Sequence, residues 1–241
     1  MKPKRVRLVA ILTIAAAVLA GCTAQTVSPT AHVVTSKESE LLAISRFANF
    51  NAGTRTISTV LNQSGTELKL LGWVDYANGA GYVEVTGAFE SQALLWTSNT
   101  VGIIASSPDS DGFPRLPIPD LDDQNWQSRP LDTSSSALDT LLAAIGNLGQ
   151  DRPDNPLLLQ QSGAMWLKTD KVGGVPVTVF AAPASDEPLP DGKVPQAGSE
   201  SLRLWVTKDG LILRAELNLN GSWVTVDFSA EPAPSLQIPG E

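Results

Sequence analysis

The segment between residues 202 and 229 constrains the fold strongly. Two turn signals, Asp209-Gly210 and Asn220-Gly221, divide it into three stretches of matching length. If both turns are two-residue hairpins, every second residue meets an apolar partner across the strands. The apolar face predicted in this way consists of Leu202, Leu204, Val206, Leu213, Ala215, Leu217, Val224, Val226 and Phe228. A slip of one residue would turn this whole face toward water, so the pattern specifies the register.

The opposite face of the same segment supports that register through its charges. Arg203 lies across from Glu216 and Arg214 lies across from Asp227. Each opposite-charge pair across two strands is worth about 0.2–1 kcal/mol. Trp205 falls across from Arg214, which would allow a cation–π contact. The segment therefore predicts a three-stranded antiparallel meander.

Periodicity elsewhere predicts two helices and many more strands. Thr35 and Glu38 have the spacing of a capping box before a helix near 36–49. A serine run precedes an amphipathic helix at 136–148. Strand-like stretches lie at about 54–62, 67–77, 81–88, 91–98, 100–106, 163–170 and 175–182.

The Asn78-Gly79 dipeptide is the best turn signal in the first half of the chain. Treated as a two-residue hairpin, it pairs Val74 with Val83.

A sheet with one continuous apolar face has to bury that face against another layer. The predicted fold class is α+β: a single strongly curved antiparallel sheet, a half-barrel of about 10–11 strands, covered on its concave face by two or more helices. The Pro-rich stretches 108–119 and 183–195 predict surface loops long enough to cover an opening.

The N-terminus has the pattern of a secretory signal peptide. Four basic residues lie among the first seven, and a 13-residue apolar run follows at 8–20. This run is shorter than the ~20 residues that a membrane-spanning helix needs. It ends in Leu-Ala-Gly-Cys, which closely resembles the bacterial lipobox, and Cys22 is the only cysteine in the chain.

These features predict the domain organisation and the location. We expect a lipoprotein signal peptide at 1–21, a flexible tether at 22–35 and a single domain at 36–241. Lipidation of Cys22, with acyl chains such as palmitate, would anchor the protein to the cell membrane on its extracytoplasmic face, because each buried methylene adds about 0.8 kcal/mol.

Charge and histidine content argue against several classes of function. Without residues 1–21 the chain carries 13 basic and 25 acidic side chains, a formal net charge of −12. This excess disfavours nucleic acid, whose phosphates require Lys and Arg. The only histidine, His32, falls in the expected tether, which argues against a histidine-dependent active site. Asp109 and Asp111 lack the remaining ligands of a calcium loop. We therefore expect neither an enzyme nor a bound metal or cofactor.

The order of elements resembles the LppX/LprAFG family of actinobacterial cell-envelope lipoproteins, whose half-barrel is similar to the LolA/LolB lipoprotein carriers. The residues that carry the resemblance are the lipobox, the helix at 36–49, the strands leading to Trp126-Gln127, the inserted helix at 136–148, the Gly173-Gly174 turn and the meander at 202–229. The resemblance implies a concave apolar cavity for acyl chains, and transport of lipid or lipoglycan to the outer envelope.

Two functions remain open at this point. In the first, an apolar cavity binds or carries lipid, and its wall consists of Leu138, Leu142, Ile145, Leu202, Leu204, Val206, Leu213, Leu217, Val224, Val226 and Phe228. In the second, the same residues fill a packed core, and the protein is an interaction or scaffold lipoprotein with an envelope protein as its partner. The pattern of apolar residues does not distinguish a cavity wall from a packed layer.

Overall fold

A computed structural model describes residues 30–239, except 88–89, 123–124, 184–186, 188, 191–192 and 194. The expected signal peptide, Cys22 and most of the expected tether lie outside the described residues. The helices are α1 (Ser36–Ala43), α2 (Ser45–Asn51), α3 (Ala137–Gly146) and α4 (Pro156–Gln161). The strands are β1 (His32–Val33), β2 (Thr54–Gln63), β3 (Thr66–Asp75), β4 (Ala80–Thr86), β5 (Gln92–Trp96), β6 (Thr100–Ala105), β7 (Gln127–Pro130), β8 (Met165–Val172), β9 (Val175–Ala181), β10 (Leu202–Val206), β11 (Ile212–Leu219) and β12 (Ser222–Phe228).

All twelve described strands belong to one antiparallel sheet in the order β1-β8-β9-β10-β11-β12-β2-β3-β4-β5-β6-β7. The sheet is not closed, because β1 and β7 form its two ends. The predicted α+β half-barrel is confirmed. The sheet exceeds the predicted strand number because β1 and β7 are too short to give a sequence pattern. β1 contains His32, so the described fold begins inside the stretch expected to be a tether.

The face of the sheet under the helices, here called the inner face, carries the main core. Alternate residues of β2 to β6 and β8 to β12 point to this face, and α3 lies on it. Leu141, Leu142 and Ile145 of α3 are completely buried there. Burying a leucine or isoleucine side chain is worth about 1.5–3 kcal/mol, so the contact of α3 with the sheet is a major source of stability.

The predicted first helix is present but divided. Thr35 and Glu38 form the expected capping box at the start of α1. The helix breaks at Ile44, where the buried Ser45 donates its hydroxyl to the Leu42 carbonyl at 2.7 Å. Hydroxyl groups that bond back to the preceding turn in this way bend helices.

The C-terminal meander follows the predicted register at its second turn but not throughout its first. Asn220 and Gly221 both have positive φ and connect β11 to β12 as a two-residue turn. Between β10 and β11, Trp205 pairs with Arg214 as predicted, but Val206 pairs with Ile212. The prediction for Leu213 is therefore wrong: it is the extra residue of a β-bulge, which moves it off the inner face.

The loop after β3 is also longer than predicted. Asp75 pairs with Ala80, so Val83 lies across from Gly72 rather than Val74. Asp75 Oδ1 accepts the backbone N–H groups of Ala77 and Asn78 at 3.1 and 3.2 Å. These bonds stabilise a four-residue loop in place of the two-residue hairpin.

The other side of the sheet, here called the outer face, is partly covered. Over β3 to β6, the Pro-rich loop 107–122 and the tail 232–238 bury Trp73, Tyr82 and Leu95. Phe113 stacks on Trp73 with ring centroids 5.1 Å apart. Over β9 to β11, Leu213 packs with Val177, Val179 and Trp205 in a second cluster. The first Pro-rich loop thus covers the outer face, not an opening on the helix side.

An ion pair between a buried carboxylate and a partly exposed arginine fixes the start of α3. The backbone N–H of Asp139 donates to the Ser136 hydroxyl at 3.1 Å, which caps the helix. The Asp139 carboxylate is completely buried and accepts Arg129 of β7 at 2.7 Å and the Asp132 N–H at 2.8 Å. Burial raises the pKa of Asp139, but these donors outweigh burial and hold the pKa below its usual value.

Gly210 and Gly221 offer a matched pair of alanine substitutions. Their φ angles are +88° and +89°, where an L side chain costs about 1–2 kcal/mol. A Cβ at Gly221 would meet nothing within 4 Å, whereas one at Gly210 would lie 2.8 Å from Cγ1 of Ile44. We expect Gly210→Ala to lower the free energy of unfolding in urea by more than Gly221→Ala. Equal losses would contradict the docking of the α1–α2 corner on this turn.

Asp139→Asn tests the ion pair and its pH dependence. A carboxylate whose pKa is lower in the folded state stabilises the fold above its unfolded pKa of about 3.9 and loses this effect as the pH falls through the folded pKa. We expect a loss of about 2 kcal/mol at neutral pH, shrinking in acid, measured by urea denaturation at several pH values. The exposed Asp151→Asn is the control, and a loss that stays constant into acid would contradict the assignment.

Candidate functional site

A groove lies between the helices and the part of the sheet around β9 and β10. We call it the helix groove, and its volume is about 710 Å³, within the usual range of small-molecule sites, about 300–1,000 Å³. It is lined by Leu42, Ser45, Arg46, Ala144, Asn147, Leu148, Gln150, Arg152, Asp154, Asn155, Leu158, Leu159, Ser162, Ala182, Pro183, Leu202 and Leu204.

The floor of the helix groove is apolar. Leu42, Leu148 and Leu204 are buried beneath it. Its two buried hydroxyl groups are already satisfied within the helices, because Ser45 donates to the Leu42 carbonyl and Ser162 donates to the Leu158 carbonyl at 2.8 Å. A ligand on this floor therefore meets hydrocarbon and needs to supply no hydrogen bonds to these two hydroxyl groups.

The rim of the helix groove is polar. Arg46 of α2 donates through Nε to the Asn147 carbonyl at 2.8 Å and through a guanidinium nitrogen to Asp154 at 3.2 Å. The Gln150 N–H donates to the Arg46 carbonyl at 3.2 Å. These bonds fasten the loop 147–155 to α2 and hold the two walls at a fixed distance.

A buried arginine anchors α2 to the meander behind this wall. Arg55 donates to Asn49 Oδ1 at 2.9 Å and to the Ile212 and Ser229 carbonyls at 3.1 and 3.0 Å. Burial lowers the pKa of Arg55. Asn49 in turn donates to the Leu148 carbonyl at 3.0 Å, so one polar network connects α2, the meander and the groove wall.

The residues predicted to form a cavity wall fall into three groups. Leu202 and Leu204 line the helix groove. Leu213 lies in the outer cluster beside Trp205. The remaining residues pack in or against the inner-face core, where α3 fills the space: Leu138, Leu142, Ile145, Val206, Leu217, Val224, Val226 and Phe228.

Two parts of the groove have no counterpart in the sequence-based prediction, α4 and the loop 147–155. The signal for α4 is Asn155 followed by Pro156 and three leucines. Asn155 Oδ1 accepts the Leu157 and Leu158 N–H groups, and proline occupies the first helical position, both of which are typical helix starts.

Other polar residues singled out by their pattern have structural roles. Asp109 accepts the backbone N–H groups of Asp111 and Phe113, each at 2.9 Å, and so shapes its own loop. His32 stacks on Trp166 and lies 3.2 Å from the Glu38 carboxylate. Within residues 30–239 as described, no three His, Cys, Asp or Glu side chains are grouped to hold a metal ion. No helix among those residues is both long enough and apolar enough to cross a bilayer.

Arg46→Ala tests whether the rim is held as described. Loss of both side-chain bonds should loosen the loop 147–155, and we expect amide hydrogen exchange at Gln150 and Asp154 to accelerate about tenfold. Arg152→Ala is the matched control, since Arg152 is exposed and has no ion-pair or hydrogen-bond partner among the described residues. Equal exchange in the two variants would contradict the role of Arg46.

No family model matches the sequence, and no curated protein matches it. Among solved structures, the chain is similar to LprF from Mycobacterium bovis, with 14% identity, a TM-score of 0.46, and coverage of 87% of this chain and 99% of that chain. It is also similar to the lipoprotein LppX from Mycobacterium tuberculosis, with 14% identity, a TM-score of 0.41, and coverage of 81% and 96%.

A putative outer membrane lipoprotein-sorting protein domain from Vibrio parahaemolyticus is similar more distantly, with 12% identity, a TM-score of 0.25, and coverage of 80% of this chain and 91% of that chain. The resemblance predicted from the order of elements is thus confirmed as a likeness to LprF, LppX and a lipoprotein-sorting domain.

Proposed function

We propose that this protein is a membrane-anchored envelope lipoprotein that binds or carries lipid by holding an acyl chain in the helix groove. The observation that carries the proposal is the combination of an apolar, hydrogen-bond-satisfied floor with a polar rim. Each methylene moved from water to such a floor gains about 0.8 kcal/mol. The rim leaves a polar headgroup in contact with water and with Asn147, Gln150 and Arg152.

The position of the N-terminus supports this proposal. The Val34 N–H donates to the Ala164 carbonyl at 3.1 Å, just beyond α4, and Gln160 of α4 donates to Ser39 of α1 at 2.8 Å. The chain therefore enters the fold beside the helices that wall the groove. Thr30 is the eighth residue after Cys22, so the two lie at most about 28 Å apart. Acylation at Cys22 would keep the groove close to a membrane surface.

A second function has support from a different observation. The centre of the inner face is filled by α3, as the complete burial of Leu141, Leu142 and Ile145 shows. A lipoprotein with a filled core would act through its surface on an envelope protein and would need no lipid. The two functions differ in whether the helix groove is occupied.

Native mass spectrometry of the chain 22–241 with Cys22→Ala tests this difference, because a bound lipid adds its own mass to that of the protein. The sample is delipidated, incubated with palmitate or a dipalmitoyl phospholipid, and compared with Leu158→Trp and Leu157→Trp. Leu158 lines the groove, whereas its neighbour Leu157 is 59% exposed and does not.

We expect the parent and Leu157→Trp to retain one lipid mass, and Leu158→Trp to lose most of it because the indole occupies the groove. Thermal unfolding should show stabilisation by lipid in the first two proteins alone. A clean apo mass for all three proteins would contradict lipid carriage and favour the interaction protein.

A further inference from the structure

The outer face contains a second groove, between its two covered regions. It has a volume of about 600 Å³, and we call it the outer groove. Its lining residues come from β12, β2, β3 and β4 and from the loop after β6: Ser58, Thr59, Val60, Asn62, Lys69, Leu70, Leu71, Glu84, Thr86, Gly112, Trp223, Thr225 and Asp227. It lies on the opposite side of the sheet from the helix groove.

The register gives the outer groove a regular floor. Directly paired residues on β12, β2, β3 and β4 form a row across the groove floor: Asp227, Ser58, Leu71 and Glu84. Neighbouring strands are about 4.8 Å apart, so this row extends over roughly 14 Å. The loop residue Gly112 lies against Leu71, and a Cβ there would stand 3.5 Å from the Leu71 side chain.

Glu84 is the buried polar group in this row that keeps an oxygen without a described hydrogen-bond partner. The residue is 1% exposed, and its Oε1 accepts the Ser106 hydroxyl at 2.5 Å. Its Oε2 is buried and has no hydrogen-bond partner among the described residues. A buried oxygen without a partner costs about 1–3 kcal/mol. Because Glu84 lines the outer groove, a ligand whose donor reaches Oε2 would remove this cost.

The charges around the outer groove disfavour an anion. Its nearby cations are already paired: Arg214 with Asp227 at 2.6 Å and Lys69 with Glu67 at 3.7 Å. Arg203 is paired with Glu200 at 2.6 Å and lies over one face of the Trp223 ring at 4.0 Å. An anionic ligand would therefore meet carboxylates without gaining an unpaired positive charge from any of these three cations.

A hydroxyl group suits Glu84 better than an ammonium group. Burial raises the pKa of Glu84, so its carboxyl is present as a neutral acid over a wider pH range than usual. An ammonium group satisfies only the ionised form. A hydroxyl both donates and accepts, and so satisfies Oε2 in either protonation state.

The remainder of the outer groove alternates small polar groups with apolar surface. The side chains of Ser58, Asn62, Thr86 and Thr225 have no hydrogen-bond partner in the described part of the chain. Val60 and Trp223 are 44% and 36% exposed, although large apolar side chains are normally buried.

The geometry points to a binding site for a neutral saccharide. Its hydroxyls would meet these polar groups and Glu84, and its C–H surfaces would lie on Val60, Leu71 and Trp223.

Chemical-shift titration of the ¹⁵N-labelled chain 22–241 with Cys22→Ala tests this site. The soluble probes are maltotriose, mannotriose and digalactose, and the lipid-borne probe is a phosphatidylcholine vesicle containing digalactosyldiacylglycerol. We expect a saccharide to shift the Trp223 indole N–H and the Glu84 amide. Shifts with the free sugars would identify a soluble saccharide as sufficient, and shifts with vesicles alone would identify a glycolipid headgroup; both support the site.

Four substitutions test whether the saccharide binds in the outer groove. Asn62→Ala and Thr225→Val each remove one polar contact and should weaken binding about fivefold. Glu84→Leu should abolish binding without unfolding the protein, because it replaces a buried unsatisfied acid with an apolar group. The matched control is Thr169→Val on the exposed side of β8, which should bind as the parent does.

No shift with any of these probes would overturn the proposal. So would equal affinity in Thr225→Val and Thr169→Val, or tighter binding of the acidic sugar trigalacturonate than of the neutral sugars. Leu158→Trp should leave saccharide binding unchanged, so failure of the lipid proposal and failure of this one are distinguishable.

Discussion

The longest described helix, α3, is much shorter than the twelve-stranded sheet is wide, and this difference in size shapes the rest of the structure. The ten residues of α3 extend over about 15 Å, whereas twelve strands spaced about 4.8 Å apart extend over roughly 50 Å along the curve. α3 therefore fills the centre, where Leu141, Leu142 and Ile145 are fully buried. Toward β9 and β10 the cover comes from α1, α2 and α4, which do not close completely, and the helix groove results.

A filled core and an open cavity are thus not exclusive in this fold. Val226 and Phe228 are buried in a packed layer, which the sequence pattern alone does not distinguish from a cavity wall. Leu202 and Leu204 continue the same apolar face to the groove. The outer face divides in a similar way: loop 107–122 and the tail 232–238 cover one part, and β12, β2 and β3 remain open between the covered parts. Both grooves lie where the sheet extends beyond the helices, loop or tail that pack on it.

Helix caps and turns that depend only on residues near each other in the chain were predictable from the sequence. The capping box of Thr35 and Glu38 and the positive-φ turn at Asn220-Gly221 involve neighbours in the chain, and both are confirmed. The bulge at Leu213 was not predictable in this way, because it depends on packing against Val177 and Val179 of another hairpin. The helix groove required the relative placement of α2, α4 and β10. The sequence around Glu84 likewise carries no sign of its burial, and its hydrogen-bond partner Ser106 lies 22 residues further along the chain, directly after β6.

The most direct test of lipid binding is a set of nuclear Overhauser effects between ¹³C-labelled palmitate and the methyl groups of the chain 22–241 with Cys22→Ala. We predict contacts from the palmitate methylenes to Leu42, Leu158, Leu202 and Leu204, which line the helix groove. We predict none to Val60 or Leu71, which line the outer groove. Contacts confined to the outer groove, or no contacts at a saturating palmitate concentration, would contradict lipid binding between the helices and the sheet.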